Sequence, residues 1–252
     1  MRFSRPFIQF HSSIFLCFAW SSWGAEIQPW QTYTTYVAGN CFTQPLIKEN
    51  SAPKTLTSNK NIEESLPFAL GTSHQSFLEI KVLRESSASL VRMGSNSALE
   101  FRQDKSCRLY KGAFLFSKHS TLPWNFDYSD TKLQIDGSGT WMIECQQSGI
   151  KLILLEGKIS VGSSASKQTL SSGDLVLISS SNPKGTNPIK IDLPLLLSTS
   201  RLINSFPARL KSNSRLFSAA QVQTLRVKRK YDALVGEVSK EKKLQLWTVP
   251  PK

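Results

Sequence analysis

Leu109-Tyr110-Lys111-Gly112-Ala113-Phe114-Leu115-Phe116 decides how this chain is read. An apolar residue, two others, a glycine, then apolar residues at alternating positions (Phe114, Phe116) describe a strand, a tight corner and a second strand. Glycine suits the corner because it reaches positive φ without a Cβ clash. The pattern recurs at Leu154-Leu155-Glu156-Gly157 with Ile159 and Val161, and at Leu170-Ser171-Ser172-Gly173 with Leu175 and Leu177. An imperfect copy, Asp136-Gly137-Ser138-Gly139, leads into Trp141 and Ile143. The corner glycines Gly112, Gly139, Gly157 and Gly173 are unevenly spaced, so no single fixed repeat is demanded.

Outward from these corners, short strands continue. Phe77, Ile80, Val82 and Leu83 begin one; Leu90-Val91-Arg92-Met93 is the next, closed by a turn at Gly94-Ser95-Asn96-Ser97. Trp124, Phe126 and Tyr128 alternate with Asn125 and Asp127, the mark of a half-buried strand. Residues 75–180 therefore read as a β domain. Residues 26–74 hold one strand candidate, within Glu26–Phe42, and from 43 onward lack any sustained period. They are expected to form a partly irregular N-terminal extension. Ser181-Asn182-Pro183-Lys184-Gly185-Thr186-Asn187-Pro188 marks a boundary. Beyond it, 181–252 reads as a basic, partly helical tail. Its helix candidates are Leu195–Ser205 and Phe217–Lys230, the latter with Ser218 as N-cap and Val222 and Leu225 on one face.

Residues 1–25 have the layout of a secretory signal peptide: Arg2 and Arg5, an apolar stretch densest at Ile14–Trp20, then small residues. Cleavage after Ser21 or after Gly24 fits equally. The stretch is shorter than the ~20 residues that span a bilayer, and Leu16 is too large for a usual lipoprotein signal at Cys17. Export permits disulfides. Outside the leader the chain keeps Cys41, Cys107 and Cys145, an odd count. Buried thiols and a Cys107–Cys145 bridge are both open, and no Cys/His spacing suits zinc.

The net charge of +13 is uneven: residues 201–252 hold 12 Lys/Arg against 3 Asp/Glu. The densest run is Arg226-Val227-Lys228-Arg229-Lys230, so Arg226, Lys228, Arg229 and Lys230 are the candidate contacts to an anionic partner. The bland reading is a solvated helix face or tail. In an exported chain the partner would be an envelope protein, an anionic polysaccharide or a lipid surface, with nucleic acid set aside.

The order of segments over 75–180 resembles the FecR family, the iron-dicitrate sensor type. The pieces are Val91–Ser97, Cys107–Phe116, Gly137–Ile143, Leu155–Val161 and Leu170–Asp174, in series over about two-fifths of the chain. The resemblance implies a mainly β, envelope-exposed domain, a compact β-solenoid or sandwich. From their own patterns, Gly94, Gly112, Gly139, Gly157 and Gly173 are read as turn-shaping residues. In well-studied members the domain receives a signal from an outer-membrane transporter and controls a sigma factor through a cytoplasmic segment. No such segment is read here, so sigma regulation is not carried over.

No catalytic residue, cofactor site or metal site is assigned. His74 and His119 lie beside no nucleophile motif or ligand spacing. Asp127 and Asp130 fit a strand end and turn better than an acid/base pair. Ser138 lacks the strand and helix of a nucleophile elbow. Trp124, Phe126 and Trp141 read as core before they read as a sugar-stacking surface. The expectation is a non-enzymatic exported envelope protein that binds a protein or anionic polymer. The alternatives are a signal-sensing regulatory module and, last, a carbohydrate-active enzyme needing two facing carboxylates.

Overall fold

The computed structural model describes residues 30–47, 51–85, 87–163 and 166–237, with side chains described through Arg226. The leader expected at 1–25, with Cys17, lies outside the described residues, as do the side chains of Lys228, Arg229 and Lys230.

The chain is mainly β, a curled half-barrel sheet. In order come β1 (Gln31–Ala38), β2 (Cys41–Pro45), β3 (Lys54–Thr55), β4 (Lys60–Ile62), β5 (Phe68–Thr72), β6 (Phe77–Arg84) and β7 (Ser87–Met93). Then follow β8 (Ala98–Phe101), β9 (Ser106–Lys111), β10 (Ala113–Lys118), β11 (Trp124–Tyr128), β12 (Thr131–Gln146) and β13 (Gly149–Ser163). The last strands are β14 (Ser166–Ser171), β15 (Asp174–Ile178) and β16 (Ile189–Lys190), followed by α1 (Leu193–Thr199), α2 (Arg201–Asn204) and α3 (Asn213–Glu237).

Two long strands organise the sheet. The first half of β12, Thr131–Ile135, pairs with β11, which leads to the wing β9-β8-β5-β2-β3. Its second half, Gly139–Glu144, pairs with β10, which leads to the wing β7-β6-β1-β4. β13 follows β12 along its length and is flanked by β15 on its first half and β14 on its second. Among the described residues all pairings are antiparallel except β9 with β11, which favours two packed wings over parallel solenoid coils.

The register sorts the core into cross-strand rows. Leu78, Met93, Phe114, Ile143, Leu152 and Val176 are successive partners across six strands, all fully buried. The next inward row is Ile80, Val91, Phe116, Trp141 and Leu154. Phe116 packs edge-on to Phe126 and Trp124 at centroid distances of 4.9 and 5.1 Å. Trp124, Phe126 and Trp141 are therefore core rather than a surface. The thiols of Cys107 and Cys145 are both free, so the bridge left open by the sequence does not form.

Residues 43–74 differ from the irregular segment expected. They supply most of β2 and all of β3, β4 and β5, and Phe68 and Leu70 are buried against Phe101 and Leu99. Strands this short show too few alternations to register as a period, and they gain stability only from their neighbours in the sheet.

The glycines also divide. Gly112, at φ +102°, is a true corner between β9 and β10, and Gly173 at φ +81° joins β14 to β15. Gly94 ends β7, its N–H donating to the Ala113 carbonyl at 2.9 Å. Gly139 and Gly157 are not hairpin corners: they face each other inside the β12–β13 ladder, next to its register shift at Thr140/Trp141. A Cβ on Gly157 would run into the Ser138 carbonyl oxygen and one on Gly139 into that of Glu156. Small residues are needed here because two backbones close on each other where the long strands bend. Gly157→Ala is expected to cost about 2 kcal/mol, read as a lower urea midpoint at unchanged slope.

A basic seam between sheet and helices

β10 carries apolar residues on both faces. Phe114 and Phe116 point inward, while Leu115 joins the outward row Glu79, Arg92, Leu115, Met142, Ile153 and Leu175. Leu115, Met142 and Ile153 would be a bare apolar patch were they not covered by Leu193, Leu197, Leu202, Leu210, Leu216 and Ala220. The C-terminal helices thus form a second layer on the outside of the sheet.

The polar ends of that row tie the layer down. Arg92, fully buried, donates from Nε to Glu79 Oε2 at 2.7 Å. Its Nη1 donates to the carbonyls of Leu202 and Ile203, both at 3.1 Å, and its Nη2 to that of Ala208 at 2.6 Å. The guanidinium also sits 4.3 Å from the Phe206 ring centroid. The arginine fork suits this task because its rigid donors satisfy carbonyls left open where α2 ends.

Helix α1 starts at Asp192, whose Oδ1 accepts from Leu195 N at 2.9 Å. Helix α3 starts earlier than expected, at Asn213, so Ser218 is inside it and donates back to the Ser214 carbonyl at 2.9 Å. The stripe it buries is Leu216 and Ala220; Val222 and Leu225, read as one face from the sequence, stand exposed.

One row further out lie Lys81, Leu90, Ser117, Thr140 and Glu156. Thr140 Oγ1 is 2.8 Å from both Glu156 Oε1 and Ser212 Oγ, and 3.0 Å from Ser117 Oγ. Arg215 Nε reaches Glu156 Oε2 at 3.1 Å, and its Nη2 lies 2.9 Å from His119 Nδ1. Burial first, then the charge of Arg215 and, to a smaller extent, that of Lys211 push the His119 imidazole below its ordinary value, against the opposing pull of Glu156.

Two clefts flank this network. One, of about 360 Å³, is lined by Lys81, His119, Arg209 and Lys211 together with Ser89 and Ser117. Its carboxylate, Glu79, is already paired with Arg92. The other, of about 560 Å³, lies between α3 and the end of β14 and is lined by Lys158, Lys190 and Arg226, with Ser171, Ser172 and Ser218. Lys190 also contacts Asp174 at 2.7 Å. Arg226, singled out from the sequence, thus lines the same cleft as two lysines from distant strands. No local pattern links Lys81, His119, Lys158, Lys190 and Lys211 to one another; strand pairing and the packing of the segment before α3 bring them to the two clefts.

The other residues weighed from the sequence fall elsewhere. Asp127 is held by Arg102 at 2.7 Å, and Asp130 lies in the turn before β12. His74 is in an exposed turn. No group of three or more potential metal ligands occurs among the described residues.

No family model and no curated protein matches the chain. Among solved structures it is similar to a candidate anti-sigma factor from Parabacteroides distasonis, at a TM-score of 0.39 and 11% identity. The match covers 53% of this chain and 66% of that one, just under two thirds of its length. A likeness at that level shows neither a shared fold nor a shared activity.

Proposed function

We propose that this protein is a non-enzymatic, exported binding module of the FecR type, which takes an anionic envelope partner along the basic seam. The observation that carries the reading is the lining of the two clefts. Basic side chains from β6, β13, β16, α3 and the segment before α3 converge there, and the carboxylate among the lining residues is neutralised internally. Clefts walled by one sign of charge concentrate counter-charged ligands. The rigid sheet positions the lysines, and the helical layer brings the arginines. The leader-like layout of residues 1–25 supports export.

The test is retention on an immobilised soluble polyanion, dextran sulfate, across a salt series. Lys211→Glu and Lys190→Glu together are expected to weaken binding at least roughly tenfold and to flatten its salt dependence. Retention indifferent to salt and to both substitutions would sink the reading. N-terminal sequencing of protein from fractionated cells checks export: a chain beginning just after Ser21 or Gly24 is expected.

A further inference from the structure

We propose that the outward face of α3 docks on an anionic lipid surface, with Phe217, Val222 and Leu225 entering the headgroup region. This rests on the anionic-partner reading above and commits it to one partner. Three observations carry it. First, α3 spends Leu216 and Ala220 on the sheet, yet Phe217, Val222 and Leu225 remain 57%, 46% and 54% exposed, and Leu195 on the adjoining α1 is 59% exposed. Second, these apolar residues are interleaved with cations. Val222 shares one cleft with Lys158, Lys190 and Arg226, and Phe217 shares another with Arg209. Neither cleft has an Asp or Glu among its lining residues. Third, the sequence from Arg201 to Tyr231 contains no carboxylate while holding eight Lys/Arg.

The apolar component decides between lipid and soluble polymer. A soluble polyanion is held by cations and gains little from phenylalanine and leucine on a helix surface. A bilayer with acidic headgroups takes both: the cations lie among the phosphates and the apolar side chains sink to the acyl boundary. An arrangement of exposed Phe and Leu flanked by Arg and Lys, with no acid among the residues lining the two clefts, suits that interface.

The full-length protein is tested by co-sedimentation with vesicles of equal parts phosphatidylglycerol and phosphatidylcholine, and with phosphatidylcholine alone. Binding is expected to the first and not to the second. Phe217→Ser with Leu225→Ser is expected to lower vesicle partitioning roughly tenfold and to leave dextran sulfate retention unchanged. Both positions are exposed, and an unaltered circular dichroism spectrum confirms folding. Arg226→Glu with Lys190→Glu is expected to lower both kinds of binding.

Retention on dextran sulfate without binding to acidic vesicles would overturn the lipid proposal and leave the anionic-partner reading standing. Binding to neither overturns both. Undiminished vesicle binding by the Phe217/Leu225 variant overturns the insertion. So does a dimer in sedimentation velocity that this variant dissociates, because a second copy of the chain would then cover the face.

Discussion

Arg92→Leu is expected to cost about 4 kcal/mol and to loosen the helical layer from the sheet. Arg92 is fully buried and its partner Glu79 is 4% exposed. Removing the guanidinium leaves Glu79 with only its 2.6 Å bond from Thr35 Oγ1. It also strips the donors from the carbonyls of Leu202, Ile203 and Ala208. Breaking a buried pair from one side is costly because the remaining charge has no compensation. Glu79→Gln separates the two losses: the carbonyl contacts stay and only the charge pair is removed, so a cost of about 2 kcal/mol is expected. Urea unfolding measures both. Limited proteolysis adds a local readout, with cleavage of Arg92→Leu expected first between residues 200 and 215. Equal costs for the two variants, or no change in proteolysis, would mean that Arg92 does not hold the layer.

Lys118→Met is expected to act in the opposite direction, stabilising the protein by about 3 kcal/mol at pH 7. Lys118 ends β10 on the inward side, in the row Val82, Ser89, Lys118, Gly139 and Gly157. It is fully buried, and its Nζ has no hydrogen-bond partner among the described residues. Burial first, then the nearby charge of Arg84, push its amine from 10.5 down to about 8. The unfolded chain holds that proton more tightly than the folded one. The penalty is therefore complete below pH 8, shrinks as pH rises from about 8 to 10.5, and is gone above that interval. The gain from methionine follows the same course. Unfolding curves at pH 6, 7, 9 and 10 check it; a gain that does not decline with pH, or a loss at pH 7, contradicts the burial account.

These two residues also show where the sequence was legible. Leu90-Val91-Arg92-Met93 reads as strand, and so does Ala113–Phe116; the extension of that strand to Lys118 is seen only in the structure. Alternation identified Phe114 and Phe116, Trp124 and Phe126, and Trp141 and Ile143 as inward positions, all of them buried. Nothing in the local pattern marks Arg92 as buried, because its burial is produced by helices that follow more than a hundred residues later. One signal was present: Ala113–Phe116 and Leu152–Leu155 are unbroken apolar runs, the mark of strands covered on both faces. They foretell a second layer without saying what forms it.

The basic seam divides in the same way. The Arg226–Lys230 run is visible in one dimension, whereas Lys81, His119, Lys158, Lys190 and Lys211 gain meaning only when pairing and packing bring them to two clefts.

By itself, the sequence determined a mainly β chain, many of its inward-facing residues between Ile80 and Leu170, and a basic C-terminal segment, but not the phase of β15, where Val176 and Ile178 face inward while Leu175 packs outward and Leu177 is exposed. Period-two alternation and turn chemistry are local and survive reading in one dimension. The tertiary structure decided that residues 31–72 belong to the same sheet, and that Gly139 and Gly157 form a facing pair rather than two corners. It also decided that the tail packs as a layer clasped by Arg92. These depend on which backbones meet across long separations, where hydrogen bonding and burial, not local propensity, set the outcome.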